Sequence, residues 1–165
     1  MADTARGSVI MTPVVTIDAD ADADAVDAIH HDIKSSLGGK LEYAKVDAND
    51  KWFYTNSKDV TGTSADLISG DFTETGTVAT ADDVRYLFVK HSGTTDGSTV
   101  TSAKVYINLD GSNAASVANV IELGANEAIN LKFKAATGVD VANLHAATST
   151  GTVRCTVAAI IDDGG

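Results

Sequence analysis

The sequence predicts a mainly β protein: an antiparallel β-sandwich or jelly roll with one N-terminal amphipathic helix and an extended N-terminal arm. Residues 127–134 alternate, Ile129, Leu131 and Phe133 set against Asn130, Lys132 and Lys134. Ala103–Leu109 does the same, Val105, Ile107 and Leu109 against Lys104, Tyr106 and Asn108. A period of two means strands with one wet face. Turn-forming pairs (Ser92-Gly93, Asp96-Gly97, Asp110-Gly111, Gly124-Ala125, Thr150-Gly151) punctuate such runs, as in folds built from short antiparallel strands. One stretch, Val26, Ile29, Ile33 and Leu37, instead steps by three and four, the spacing of a single helix face.

In chain order, residues 1–17 read as an extended arm. Val9-Ile10-Met11 and Val14-Val15-Thr16-Ile17 flank Pro13. β-Branched residues favour strand, and a proline that cannot donate to a ladder confines the piece to an edge or a start. Residues 18–40 hold an acidic run and a helix over 22–37. Asp18, Asp20, Asp22 and Asp24 precede or open it, where the positive end of the helix dipole favours carboxylates. Gly38 and Gly39 suit a left-handed C-terminal cap. Residues 41–165 form the β domain, with strands expected at Leu41–Val46, Lys51–Thr55, Asp71–Val78, Val84–Lys90, Ala103–Leu109, Ser116–Leu123, Glu127–Lys134 and Thr152–Ile161. Val84–Lys90 is apolar on both faces, so it is expected inside the sheet or beneath another chain.

Length and composition bound the function. A chain of 165 residues, 44% hydrophobic and 21% charged, makes one domain with a short appendage and needs no staple to hold a core. Twelve basic residues against 23 acidic give a formal charge of −11, which sets the surface against phosphates and excludes nucleic acid as the main ligand. The single Cys155 excludes an internal disulfide. No apolar run approaches the ~20 residues of a membrane-spanning helix. Met1–Gly7 lacks the basic-then-apolar layout of a secretion signal, so the expectation is a protein made and kept in soluble form, without a membrane partner.

The chemical motifs fail one by one. An EF-hand loop begun at Asp18 would have Ala23 in place of the required Gly and Ile29 in place of the bidentate Glu. Ser35-Ser36-Leu37-Gly38-Gly39-Lys40 lacks a phosphate-loop Gly at Lys34 and a Ser or Thr at Leu41. His30 and His31, adjacent on a helix, point about 100° apart and do not converge on one ion. Cys155 sits inside an apolar β run, where it serves as a small buried hydrophobe. Lys132, Lys134 and Arg154 read as a solvated strand face. The expectation is no catalytic residue, no cofactor and no metal: not an enzyme. Trp52-Phe53-Tyr54 is the one aromatic cluster. Alternation must send at least one of these rings to the opposite face, and Trp and Tyr dominate interface energetics.

A resemblance enters at Val84–Asp163. The successions Val84-Arg-Tyr-Leu-Phe-Val-Lys-His-Ser-Gly-Thr94, Lys104-Val-Tyr-Ile-Asn-Leu-Asp-Gly111, Glu122-Leu-Gly-Ala-Asn-Glu-Ala-Ile-Asn-Leu-Lys132 and Val141–Asp163 resemble small structural proteins of tailed-bacteriophage virions, most of all head-decoration (cement) proteins. The resemblance covers about the C-terminal half and implies a β-sandwich on the capsid surface, made in the host cytoplasm. It further implies that the chain binds the major capsid protein, stabilises the shell and is a homotrimer. Val9, Ile10, Met11, Val14, Trp52 and Tyr54 are the expected partner interface, since an extended arm can add to a neighbour's sheet edge. The alternatives are a neck, tail or fibre accessory protein, or a β-sandwich host-recognition module that binds carbohydrate.

Overall fold

The computed structural model describes residues 49–73, 75–134 and 137–164, and the backbone of 4–9 and 39–44. Described residues form strands β1 (Thr4–Val9), β2 (Gly39–Ala44), β3 (Asp50–Thr61), β4 (Ala65–Asp66), β5 (Asp83–His91), β6 (Val105–Asn108), β7 (Ile121–Leu123), β8 (Ala128–Lys132), β9 (Val139–Asp140), β10 (His145–Thr148) and β11 (Thr152–Asp162). A single 3-10 turn over Val141–Asn143 joins β9 to β10. The mainly β, antiparallel expectation holds. The helix expected at 22–37, the acidic run at 18–24 and Ile10, Met11 and Val14 lie outside the described residues.

Two larger sheets carry the fold. One runs β3-β11-β5-β8, with β9 pairing on β5 beyond the stretch that β8 occupies; the other runs β4-β10-β6-β7. Strands β1 and β2 form a separate antiparallel ribbon in which Val9 stands opposite Gly39, and β2 passes beside β8. Strand β1 therefore pairs within the chain.

Both larger sheets feed one apolar core. Phe53, Leu87, Val89, Val153, Val157 and Ile161 come from one, and Val105, Ile107, Leu123 and Ala146 from the other. Alternation does this locally: in β11, Val153, Cys155, Val157 and Ala159 are all fully buried while the residues between them are not. Each such Val or Leu stabilises the fold by roughly 1.5–3 kcal/mol on burial. Strand β5 lies inside its sheet, between β11 and β8, as its two apolar faces require.

Several strand expectations need correction. Asp71–Val78 is not a strand: only Asp71 and Thr77 bridge, and Gly70 and Gly76, at φ +110° and +94°, fold the chain back before a ladder can lengthen. Of Ser116–Leu123 only Ile121–Leu123 pairs, because Asn113 begins a tight turn in which its side chain accepts from the Ala115 amide at 3.0 Å. Strand β10 was not expected at all. His145-Ala-Ala-Thr148 has weak strand propensity, yet it is flanked by β6 and β4, and Ala146 and Ala147 are buried there. Strand β3 also runs to Thr61, six residues past the expected Thr55, since the long β11 pairs with it from Asp50 to Thr61.

Candidate functional site

The chemistry-bearing face is the side of the five-stranded sheet turned away from the core. Phe53 points into the core at 3% exposure; its neighbours Trp52 and Tyr54 therefore share the other face. The registers line up two cross-strand rows: Tyr54–Ala158–Phe88–Asn130 and Trp52–Ile160–Tyr86–Lys132. Trp52, Tyr86, Phe88 and Ile160 pack into an apolar cluster separate from the main core. Tyr86 donates its hydroxyl hydrogen bond to Asn130 Oδ1 at 3.2 Å, and burial pushes that phenol's pKa up.

The cluster is graded in exposure. Tyr86 and Ile160 keep only 4% and 3% of their surface, Trp52 and Phe88 are half-buried, and Tyr54 is 54% exposed. Ala158, the small residue between Tyr54 and Phe88, leaves those rings two strand spacings apart, roughly 10 Å. Tyr54 is thus the ring of this face most open to a partner, with the half-buried Trp52 and Phe88 on the same face. Of the residues the sequence singled out, the fold brings Trp52 and Tyr54 together. Val9 lies in β1, paired with Gly39. Tyr86, Phe88, Ala158 and Ile160 were not singled out. The two apolar faces of Val84–Lys90 were the available signal, since Tyr86 and Phe88 make up the second face.

The fold holds other polar features, some buried and some exposed. His91 is fully buried; its Nε2 lies 2.8 Å from the Ala103 carbonyl and its Nδ1 accepts from the Gly93 amide at 2.9 Å. Cys155 is fully buried, and its thiol is pushed up to about 12 by that burial. Arg154 belongs to no basic patch with Lys132 and Lys134: Asp59 takes its guanidinium at 2.9 Å, and the Asp96 carbonyl accepts from its Nη1. A cleft of about 50 Å³ beside it is lined by Lys58, Asp59 and Asp66, and another, elsewhere, of about 190 Å³ by Asn108, Asp110 and Asn119. Both are smaller than the ~300 Å³ at which small-molecule pockets begin.

One end of the sheet gathers carboxylates. Asp140 stands opposite Asp83, Asp83 opposite Asp162, and Asp162 opposite Asp50, a row of four across β9, β5, β11 and β3. The β5–β11 register slips at this point, leaving Arg85 as an extra residue between the paired Val84 and Tyr86. Such a bulge re-aims a side chain, and Arg85 forms an ion pair with Asp162 and lies 3.7 Å from Asp83. Lys51 pairs with Asp163. Burial first, then a hydrogen bond with Asp140, raises the Asp83 carboxyl above the usual carboxylate range, with Arg85 opposing. Burial likewise raises Asp82.

Among the described residues no three His, Cys, Asp or Glu side chains are grouped to hold a metal ion, and no helix is long and apolar enough to cross a membrane. No family model, curated protein or solved structure matches this chain.

Proposed function

We propose that this chain is a non-catalytic virion protein of a tailed bacteriophage, a β-sandwich or jelly roll that binds the major capsid protein on the head surface as a homotrimer and stabilises the shell. The observation that carries this reading is the aromatic sheet face. Tyr54 is open to solvent on the face it shares with Trp52 and Phe88, and exposed aromatic residues are what protein contacts are built around. A net charge of −11 suits a partner with a positive patch, whose field would steer encounter. The strand-and-turn idioms of Val84–Asp163 are the part of the chain that resembles cement proteins.

The experiment is co-sedimentation of the purified chain with assembled phage heads that lack it. The expected result is saturable binding at many copies per head, weakened about tenfold or more by Tyr54→Ala, the scale of an interface hot spot. Saturation at a few copies at one vertex would favour a neck or tail position instead. Binding to heads that Tyr54→Ala leaves unchanged would move the interface elsewhere. No binding to heads, with retention on a glycan array, would favour the host-recognition reading, to which exposed Tyr54 also lends itself.

A further inference from the structure

The row Asp140–Asp83–Asp162–Asp50 places four like-charged side chains directly opposite one another on neighbouring strands. Like charges in that relation destabilise strand pairing. Among the described residues, the other charged groups at this end are Lys51 and Asp163, paired to each other, Asp82 just before β5, Arg85 in β5, and Lys134, whose carbonyl accepts from the Gly138 amide. Arg85 serves Asp162 and, at 3.7 Å, Asp83. No cation in this set bonds to Asp140; the Asn143 side-chain amide, 3.4 Å away, is its neutral donor. The Asp83–Asp140 pair thus sits at the outer end of the row, joining β5 to the two-residue strand β9.

We propose that Asp83 and Asp140 form a proton-operated clasp that fastens β9 to the sheet. With one proton between them the two carboxyls hydrogen-bond across β5 and β9. With none, two opposed negative charges push the short strand away, and the 3-10 turn that follows loosens with it. Hydrogen bonds from Val141 N–H to the Asp82 carbonyl, 2.8 Å, and from Ala142 N–H to Thr80, 3.1 Å, are what such opening would break. Gly138 is held at φ +49°, and a Cβ there would come within 2.8 Å of the Val84 carbonyl. The clasp is independent of the aromatic face, so it stands or falls apart from the functional reading.

Amide hydrogen exchange on the full chain tests it, with protection at Val141 measured relative to Cys155 in the central strand. Between about pH 7 and about pH 4.5, a window that lies just above the ordinary carboxylate range of about 4, where a raised carboxyl changes charge, relative protection at Val141 should rise by about threefold, the scale of like-charge opposition across strands. Asp140→Asn keeps a hydrogen-bond donor and cannot titrate, so its Val141 should be protected equally at both ends of the window; Asp83→Asn should behave alike. Flat protection in the unaltered chain would overturn the proposal, as would an unchanged pH dependence in both variants. Loss of protection at both pH values in both variants would also overturn it, because the charged carboxylates would then be holding β9 rather than repelling it.

Discussion

Phe53 and Tyr54 are neighbours in β3, yet 3% of one and 54% of the other meets solvent. The pleat alone separates them, sending the first into the core and the second onto the outer aromatic face. Opposite consequences follow for substitution. Phe53→Ala should cost about 3–5 kcal/mol of stability, the range for truncating a buried aromatic. Tyr54→Ala should change stability by no more than about 0.5 kcal/mol, as exposed sites do. Urea unfolding of both variants checks this, and similar losses at the two positions would show that the outer ring is part of the fold's packing.

His91 fills both ring positions with backbone partners. Because Nδ1 accepts from the Gly93 amide, Nε2 must carry the proton given to the Ala103 carbonyl. Nitrogen NMR should therefore find the Nε2–H tautomer at neutral pH. His91→Leu should cost about 1–3 kcal/mol for each backbone group left buried without a partner. A proton on Nδ1 instead would contradict the arrangement, since it leaves nothing for the Gly93 amide to bond.

Cys155 should be inert in the native protein. Its thiol is fully buried and pushed up to about 12, so almost no thiolate is present at pH 8, and the thiolate is the reactive form. A thiol reagent at that pH should label it only as fast as the chain opens, and at once in denaturant. Immediate labelling without denaturant would place the thiol at the surface.

The pH dependence of stability should carry two opposed contributions. The amides of Thr99 and Ser98 hold Asp96 well below the usual carboxylate range, and the Ser112 amide lowers Asp110. Their stabilisation is present above that range and is lost as pH falls through it. Burial raises Asp82 and Asp83, so the native chain holds protons there that the unfolded chain has released, and stability declines as pH rises through their folded values. Melting temperature should therefore peak on the acidic side of neutrality, near the ordinary carboxylate range of about 4. Asp82→Asn, which keeps an acceptor for the Ala79 amide, should reduce the decline from that peak toward neutral pH. A profile that climbs steadily from acid to pH 7 would refute the sign assigned to Asp82 and Asp83.

Several elements were legible in the sequence because their signal is local. Val105 and Ile107 in β6 are buried as their alternation with Lys104 and Tyr106 requires, and Val153, Val157 and Ala159 follow the same rule in β11. The interior place of β5 follows from two apolar faces, a property of its own residues. The parting of Phe53 from Trp52 and Tyr54 needs only the period of two. Tertiary structure decided the rest. Strand β10 exists because β6 and β4 offer ladders on either side of His145–Thr148, and β3 reaches Thr61 because β11 is long enough to pair with it. The aromatic face needed the register that sets Ile160 between Trp52 and Tyr86, and the aspartate row needed a bulge at Arg85 and a pairing between residues 83 and 140. Periodicity tells each strand which side chains turn inward, but which residue stands opposite which is fixed only when distant segments pair, and both the aromatic face and the carboxylate clasp are made of such pairs.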